Sequence, residues 1–316
     1  MEIMKLSRAL FDCRGAMGVF ICIASYSAIA QMPTKEAHSQ ISPVDSEKPP
    51  SSAELAATES NLRHDLELHP SSVQILYKLG QVLRQENKPK ESLEIYTQAS
   101  SLQKPDANQL RSVALDYVLL DDYKDAIQWL EIAASFDPRN VDVLYSLGRC
   151  YYTQSRYPEA EAMFLRVLQI KPDHLKAEEN LGLVYDFGNQ TAKAEAALRK
   201  AAEWAGQEST DEWPFLDLGG FLLDKDRAVE AVPFLQRAAT INAKCADCHG
   251  KLGRALVAAG DVSDGVKELE VAARLDPANP KIHFQLGIAY RVAGALEKSR
   301  SEFALSQTLY GQHSRD

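Results

Sequence analysis

In this 316-residue chain, the stretch whose residue types and spacing best fit a chemistry is Cys245-Ala-Asp-Cys248-His249. Two cysteines three apart, followed directly by histidine, form the pattern of c-type haem attachment: two thioethers and an axial imidazole. The same pair can instead close a local disulfide, stay as two thiols, or act as a redox couple, since a helix N-terminus lowers a thiol pKa. No methionine nearby offers a sixth haem ligand, and zinc lacks an obvious fourth ligand. Cys150 reads as a small buried hydrophobe. Dinucleotide, phosphate-loop, zinc-protease and serine-hydrolase motifs are all missing. Carboxylates are plentiful but read as solvated charges scattered over polar faces, so catalysis is not expected.

The elements that must position this motif are set by a period of 34. Leu79-Gly80 recurs as Val113-Ala114, Leu147-Gly148 and Leu181-Gly182, then after a step of 37 as Leu218-Gly219, Leu252-Gly253 and Leu286-Gly287. Such a period marks stacked repeats, because one unit cannot bury its apolar face alone. With position 1 at Val73, Ala107, Val141, Leu175, Glu212, Ala246 and Pro280, positions 8, 20 and 27 hold small residues almost throughout. Position 24 holds Tyr96, Leu130, Phe164, Leu198, Leu235, Leu269 and Phe303. Small residues let two helix backbones approach while the large ones fill the adjacent grooves. Helical apolar spacing, turn residues such as Gly188-Asn189 and Gly260-Asp261, and Pro138, Pro172 and Pro277 at position 32 make each repeat a helix-turn-helix hairpin.

The pattern resembles the tetratricopeptide repeat (TPR) family, most closely in the third repeat, where Leu144, Leu147-Gly148, Tyr151, Tyr157, Ala160, Phe164 and Pro172 fall on signature positions. The resemblance implies an all-α, right-handed solenoid of seven repeats, 73–106, 107–140, 141–174, 175–211, 212–245, 246–279 and 280–310, behind a capping helix or half repeat at 53–72. It also implies a non-catalytic scaffold that binds peptide or protein segments in a concave groove lined by positions 2, 5, 9, 12 and 13. Those positions give the candidate binding residues Tyr77, Arg84, Arg111, Tyr145, Arg149, Tyr152, Phe187, Arg254, Phe284 and Arg291, with Glu179 and Asp186 among them. Tyr and Arg are enriched at binding hot spots. Chaperone-binding members use Lys at position 5 and Asn at position 9 of the first repeat; Tyr77 and Gln81 stand here, so that clamp is not implied. In this register Cys245 is position 34, Cys248 position 3 and His249 position 4, an inward-packing place with little room for a porphyrin. A haem-bearing electron-transfer protein using Cys245, Cys248 and His249 is the alternative function; otherwise no cofactor and no metal is expected. The step of 37 suggests a four-plus-three layout with two groove segments.

At the N-terminus, Lys5, Arg8 and Arg14 precede an apolar run from Gly15 to Ala30 that closes on Ala28-Ile29-Ala30, the form of a signal peptide cut before Gln31. Periplasmic or secreted localisation is the expectation, with an uncleaved membrane anchor as the alternative, although sixteen residues is short for a span. Residues 31–52 read as a flexible linker, and Leu55, Leu62, Leu66 and Leu68 mark the capping helix, stopped by Pro70. Six polar residues follow Tyr310, and no separate catalytic domain is expected there. The chain carries a net charge of −9. Residues 1–30 hold three basic and two acidic side chains, so the remainder stands at −10. An acidic surface argues against nucleic acid and against anionic membranes as partners.

Overall fold

At position 15 of all seven repeats the backbone takes a positive φ, at Asn87, Asp121, Ser155, Asn189, Asp226, Gly260 and Gly294. Only a residue that tolerates the left-handed region can reverse a helix so tightly, which selects Asn, Asp and Gly at six of these seven places. Each reversal joins the two helices of one hairpin. A computed structural model describes residues 50–206 and 208–313. The expected signal peptide, and all but the last residues of the expected linker, lie outside them.

The described residues form fifteen helices and no strand. One compact unit runs to Pro138 and a second begins at Arg139. The first holds α1 (Ser52–Leu68), α2 (Val73–Gln85), α3 (Pro89–Leu102), α4 (Ala107–Leu119) and α5 (Tyr123–Phe136). The second holds α6 (Val141–Thr153), α7 (Tyr157–Ile170), α8 (Leu175–Phe187), α9 (Thr191–Ala205) and α10 (Trp213–Asp224). It continues through α11 (Ala228–Ile241), α12 (Ala246–Ala259), α13 (Val262–Leu275), α14 (Pro280–Val292) and α15 (Leu296–His313). The division does not follow the expected four-plus-three layout, since both flanks of the insertion lie in the second unit. Gly206, at φ 67°, ends α9. The inserted segment then folds back: Lys176 Nζ lies 2.6 Å from Asp211 Oδ2, and the Trp213 backbone N–H donates to Asp211 Oδ1 at 3.2 Å. These bonds tie the extra residues to the repeats on either side.

Side chains cap most first helices of the hairpins. Ser72, Asp106, Asn140, His174, Cys245 and Asn279, the residues just before each helix, accept a backbone N–H from its first turn. The α1 helix has a capping box between Ser51 and Glu54 and sets Leu66 against the Leu76–Tyr77–Tyr96–Ala99 cluster. Leu68, expected on the same apolar face, is 63% exposed instead, because it is the last helical residue before the chain turns at His69.

Within each hairpin the contact is tight at position 8. A Cβ on Gly148 would stand 2.8 Å from the Phe164 ring, one on Gly219 2.6 Å from Leu235, and one on Gly287 2.8 Å from Phe303. Gly253 is the most constrained, because its Cβ would meet Leu269 at 2.6 Å and the Gly265 carbonyl oxygen at 2.7 Å. Backbone cannot rotate away as a side chain can. Glycine to alanine in an open helix stabilises by about 1 kcal/mol. Gly253→Ala is expected to reverse that sign and destabilise by roughly 1–3 kcal/mol through overpacking. Ser155 has the opposite problem, a Cβ in the left-handed region at φ 57°. Ser155→Gly should therefore stabilise by about 1 kcal/mol. Urea unfolding of both variants checks the pair, and a stabilised Gly253→Ala protein would show that the hairpin can open at no cost.

Candidate functional site

In the second unit the first helices of successive hairpins, α6, α8, α10, α12 and α14, lie side by side. Their shared face carries most of the expected binding residues. Tyr145 on α6 is half-buried, its ring 5.1 Å from His174 and 5.9 Å from Phe164, and its hydroxyl accepts from Asn180 Nδ2 at 3.3 Å. Arg149, one turn on, is half-buried and held by contacts of its own. Tyr152 and Phe187 meet edge to face at 5.7 Å, and Tyr157 stacks on Phe187 at 5.2 Å. These three rings form a half-buried aromatic cluster across α6, α7 and α8. Tyr157 was legible only as a repeat signature residue, since it starts the second helix rather than lining the first.

Among these rings sits a charge cluster that the sequence reading did not single out. Glu179 and Asp217 are only 4% and 9% exposed. Lys176 Nζ lies 3.2 Å from Glu179 Oε2 and 2.6 Å from Asp211 Oδ2, bridging α8 to the inserted segment. Burial pushes the Glu179 carboxyl upward, opposed by Lys176 and reinforced by Asp217 and Asp211. Burial works against the Lys176 charge, yet Glu179 and Asp211 outweigh it and hold the ammonium protonated. Further along the face, Lys225 pairs with Asp186 at 3.0 Å and Arg254 with Asp224 at 2.6 Å. The expectation of scattered, solvated carboxylates fails here, and Glu178 and Asp116 are also buried. Burial at positions 5 and 6 depends on the repeat: Glu179 and Asp217 lose water there, whereas Phe284 and Lys78 stay exposed.

An open groove of about 150 Å³ lies between α12, α13 and α14, lined by Arg254, Val257, Ala258, Leu269, Gln285 and Ile288. Phe284 is 46% exposed and packs on Phe303 at 5.5 Å. The exposed Arg291 reaches over the same ring, 5.8 Å from its centroid.

The first unit treats its candidates differently. Tyr77 stacks on Tyr96 at 5.3 Å and is 7% exposed, a core residue more than a recognition side chain. Arg84 Nη1 donates to the Ser112 carbonyl at 3.1 Å, and Arg111 is half-buried. Asp116 in the same unit is fully buried, and burial pushes its carboxyl up to about 7, with Ser92 and Arg84 opposing. Ser92 Oγ lies 2.8 Å from the Gly80 carbonyl and 2.6 Å from Asp116 Oδ2, yet has one proton to give. At the equivalent place in the seventh repeat, Ser299 donates to the Gly287 carbonyl at 2.8 Å. If Ser92 does likewise, a proton on Asp116 satisfies the second contact.

Cys245 and Cys248 are joined in a disulfide. It closes a loop of only four residues, which chain entropy values at about 2 kcal/mol. His249 is committed on both ring nitrogens, Nδ1 at 2.6 Å from Glu268 Oε2 and Nε2 at 3.3 Å from the Ala243 carbonyl. His283, at the same repeat position, makes the same two contacts with Glu302 and the Pro277 carbonyl. Cys150 is a buried free thiol, pushed up to about 12 by burial. Among the described residues no cluster of three or more His, Cys, Asp or Glu could hold a metal ion, and no helix is long and apolar enough to cross a membrane.

Tetratricopeptide repeat models match residues 73–106, 118–177, 179–208 and 222–283, together more than half of the chain. The chain belongs to the tetratricopeptide repeat family. Among curated relatives, the BBSome complex member BBS4 of Bos taurus is 23% identical over 211 residues, 66% of this chain and 40% of that protein. The anaphase-promoting complex subunit 3 of Schizosaccharomyces pombe is 21% identical over 62% of this chain and 29% of its own length. The chain thus spans less than half the length of the curated relatives it matches. Among solved structures, Pseudomonas aeruginosa pilF superposes with a TM-score of 0.59 at 20% identity, covering 71% of this chain and 96% of that one. A tetratricopeptide repeat protein from Parabacteroides merdae gives 0.60 at 17%, covering 75% and 93%.

The buried acid of the first TPR hairpins predicts a pH dependence. The folded-state value near 7 lies above the usual 3.8, so the folded chain holds this proton longer than the unfolded one. Stability from this group is fully present below about pH 4, is lost as pH rises toward about 7, and the loss is at most about 4 kcal/mol. Asp116→Asn, which stays neutral, should gain on the parent across that window. Urea titrations from about pH 5 to about pH 8 measure the difference, and a constant difference would mean that Asp116 is ionised throughout.

Proposed function

We propose that this TPR protein is a non-catalytic scaffold that binds extended peptide or protein segments along the first-helix face of its second unit, centred on α6 and α8. One observation carries the reading: Tyr145, Arg149, Tyr152 and Phe187 gather on that face around a buried charge cluster, and all four stay only half-buried. Amphipathic rings and guanidinium groups of this kind supply most of the energy at protein interfaces. The half-open groove of Val257, Leu269 and Ile288 would take an apolar side chain further along the same segment, with Arg254 at its rim. The acidic balance of the chain favours protein over nucleic acid as the partner. Curated relatives named as members of the BBSome and of the anaphase-promoting complex fit a part in a larger assembly. The leader-like N-terminus supports export to the periplasm or medium. The cysteine–histidine motif does not favour the electron-transfer alternative, because each sulfur is bonded to the other and both His249 nitrogens have partners.

Quantitative cross-linking with mass spectrometry, on the tagged protein in its native envelope, tests the assignment. Tyr145→Ala combined with Arg149→Ala should lower capture of the principal partner by about tenfold or more, as loss of two hot-spot side chains implies. Thermal unfolding should show the fold intact. Unchanged capture by a folded double variant would place recognition elsewhere, and the intact mass of the mature chain would show whether it begins at Gln31.

A further inference from the structure

We propose that Cys245–Cys248 is an exchangeable disulfide, opened by an external dithiol that attacks Cys245 Sγ, and not a fixed staple. The bond spans two intervening residues, the kind of loop whose closure constrains an unfolded chain least. Nor does the helix need it. The caps Ser72, Asp106, Asn140, His174 and Asn279 start their helices by hydrogen bonding alone. In place of their oxygen or nitrogen, Cys245 offers its sulfur, which accepts the Cys248 N–H at 3.0 Å.

The two sulfurs differ in access. Cys245 is half-buried in the turn before α12, between exposed Lys244 and half-buried Ala246, whereas Cys248 is 0% exposed. Of the two residues, only Cys245 offers any exposed surface to an incoming thiolate. The opened form also has a ready structure. A Cys245 thiolate would sit at the positive end of α12, already within hydrogen-bond distance of a backbone N–H, where a thiolate is favoured. Cys248 would remain in the slot that Ile75, Val143, Ala177 and Ile282 fill in other repeats with no covalent link. His249 stays out of the chemistry, since Glu268 and the Ala243 carbonyl hold its ring.

The exchange balances in two steps. A thiolate of the dithiol attacks Cys245 Sγ; the Sγ–Sγ bond breaks, a mixed disulfide forms on Cys245, and the electron pair leaves on Cys248 Sγ, which takes up a proton. The second thiolate of the dithiol then attacks its own sulfur in the mixed disulfide and departs as an oxidised disulfide, releasing the Cys245 thiolate. Two electrons and one proton pass from the singly ionised dithiol to the protein, the proton ending on Cys248 while Cys245 stays a thiolate.

Dithiothreitol on the native full chain, followed by thiol alkylation and peptide mass spectrometry, tests this. Cys245 and Cys248 should become labelled together, with helical circular dichroism unchanged and the thermal midpoint lowered by only a few degrees. In single variants, Cys245 of Cys248→Ala should react with Ellman's reagent at least ~10-fold faster than Cys248 of Cys245→Ala. Alanine is tolerated at the Cys248 position in the fourth repeat, at Ala177. Should a variant fail to fold, glutathione on the parent protein decides by where its adduct sits, Cys245 being expected. A disulfide that stays closed until denaturant is added, equal rates in the two variants, or an adduct on Cys248 would each overturn the proposal.

Discussion

The missing Cβ at position 8 is the constraint on which the rest of this structure depends. In six of the seven repeats that position is glycine, and the side chain of position 24 occupies the space a methyl would need. With the two helices drawn together there, positions 20 and 27 must be small as well, and Ala99, Ala126, Ala160, Ala201 and Ala238 are all fully buried. One face of each first helix is thereby committed to its own hairpin. What it can offer to another molecule is restricted to the positions pointing away, which is why recognition in such a fold is confined to a few places per repeat.

Those few places are not equivalent. Tyr77 and Tyr145 share position 5, yet Tyr77 closes over Tyr96 at 7% exposure while Tyr145 stays half-open beside His174. Glu179, again at position 5, is buried almost completely. An ionised carboxylate there is costly without a cation near it. Lys176 supplies that cation, and the inserted segment supplies Asp211 to hold Lys176 in turn. The three extra residues thus do more than lengthen a loop: they complete the charge balance of the face they border.

The sequence legibility of this molecule follows the same division. The period and the position-15 turns are backbone requirements met within one repeat, so residues such as Asn189 and Gly260 announce them locally. Burial of Glu179, Asp217 and Asp116 depends on what neighbouring hairpins place opposite, and no spacing rule within a repeat carries that information. The insertion, visible as a step of 37, suggested a boundary that the chain puts after Pro138 instead. A change of sequence register marks extra residues; whether they separate or fasten the flanking repeats depends on their side-chain bonds, here those of Asp211 to Lys176 and to the Trp213 N–H.

Repetition also provides an internal control for the cysteine–histidine motif. His249 follows Cys248 directly, and on spacing alone the two belong to one chemical unit. His283 has no cysteine beside it, yet it occupies the same position and makes the same pair of contacts, to a glutamate nineteen residues on and a carbonyl six residues back. The placement of the histidine is therefore explained by packing between helices, independently of the cysteines. Binding His249 to a haem iron would require detaching it from Glu268 or from the Ala243 carbonyl, and would also require opening the sulfur–sulfur bond. Once the histidine is accounted for, the cysteine pair stands as a separate feature, a helix cap made from sulfur at a place where its sister repeats use Ser, Asp, Asn or His. Sulfur is the weaker acceptor for a helix N–H. Its use there is hard to derive from capping, and follows more directly from the one property the other caps lack, a bond that a thiol can open and re-form.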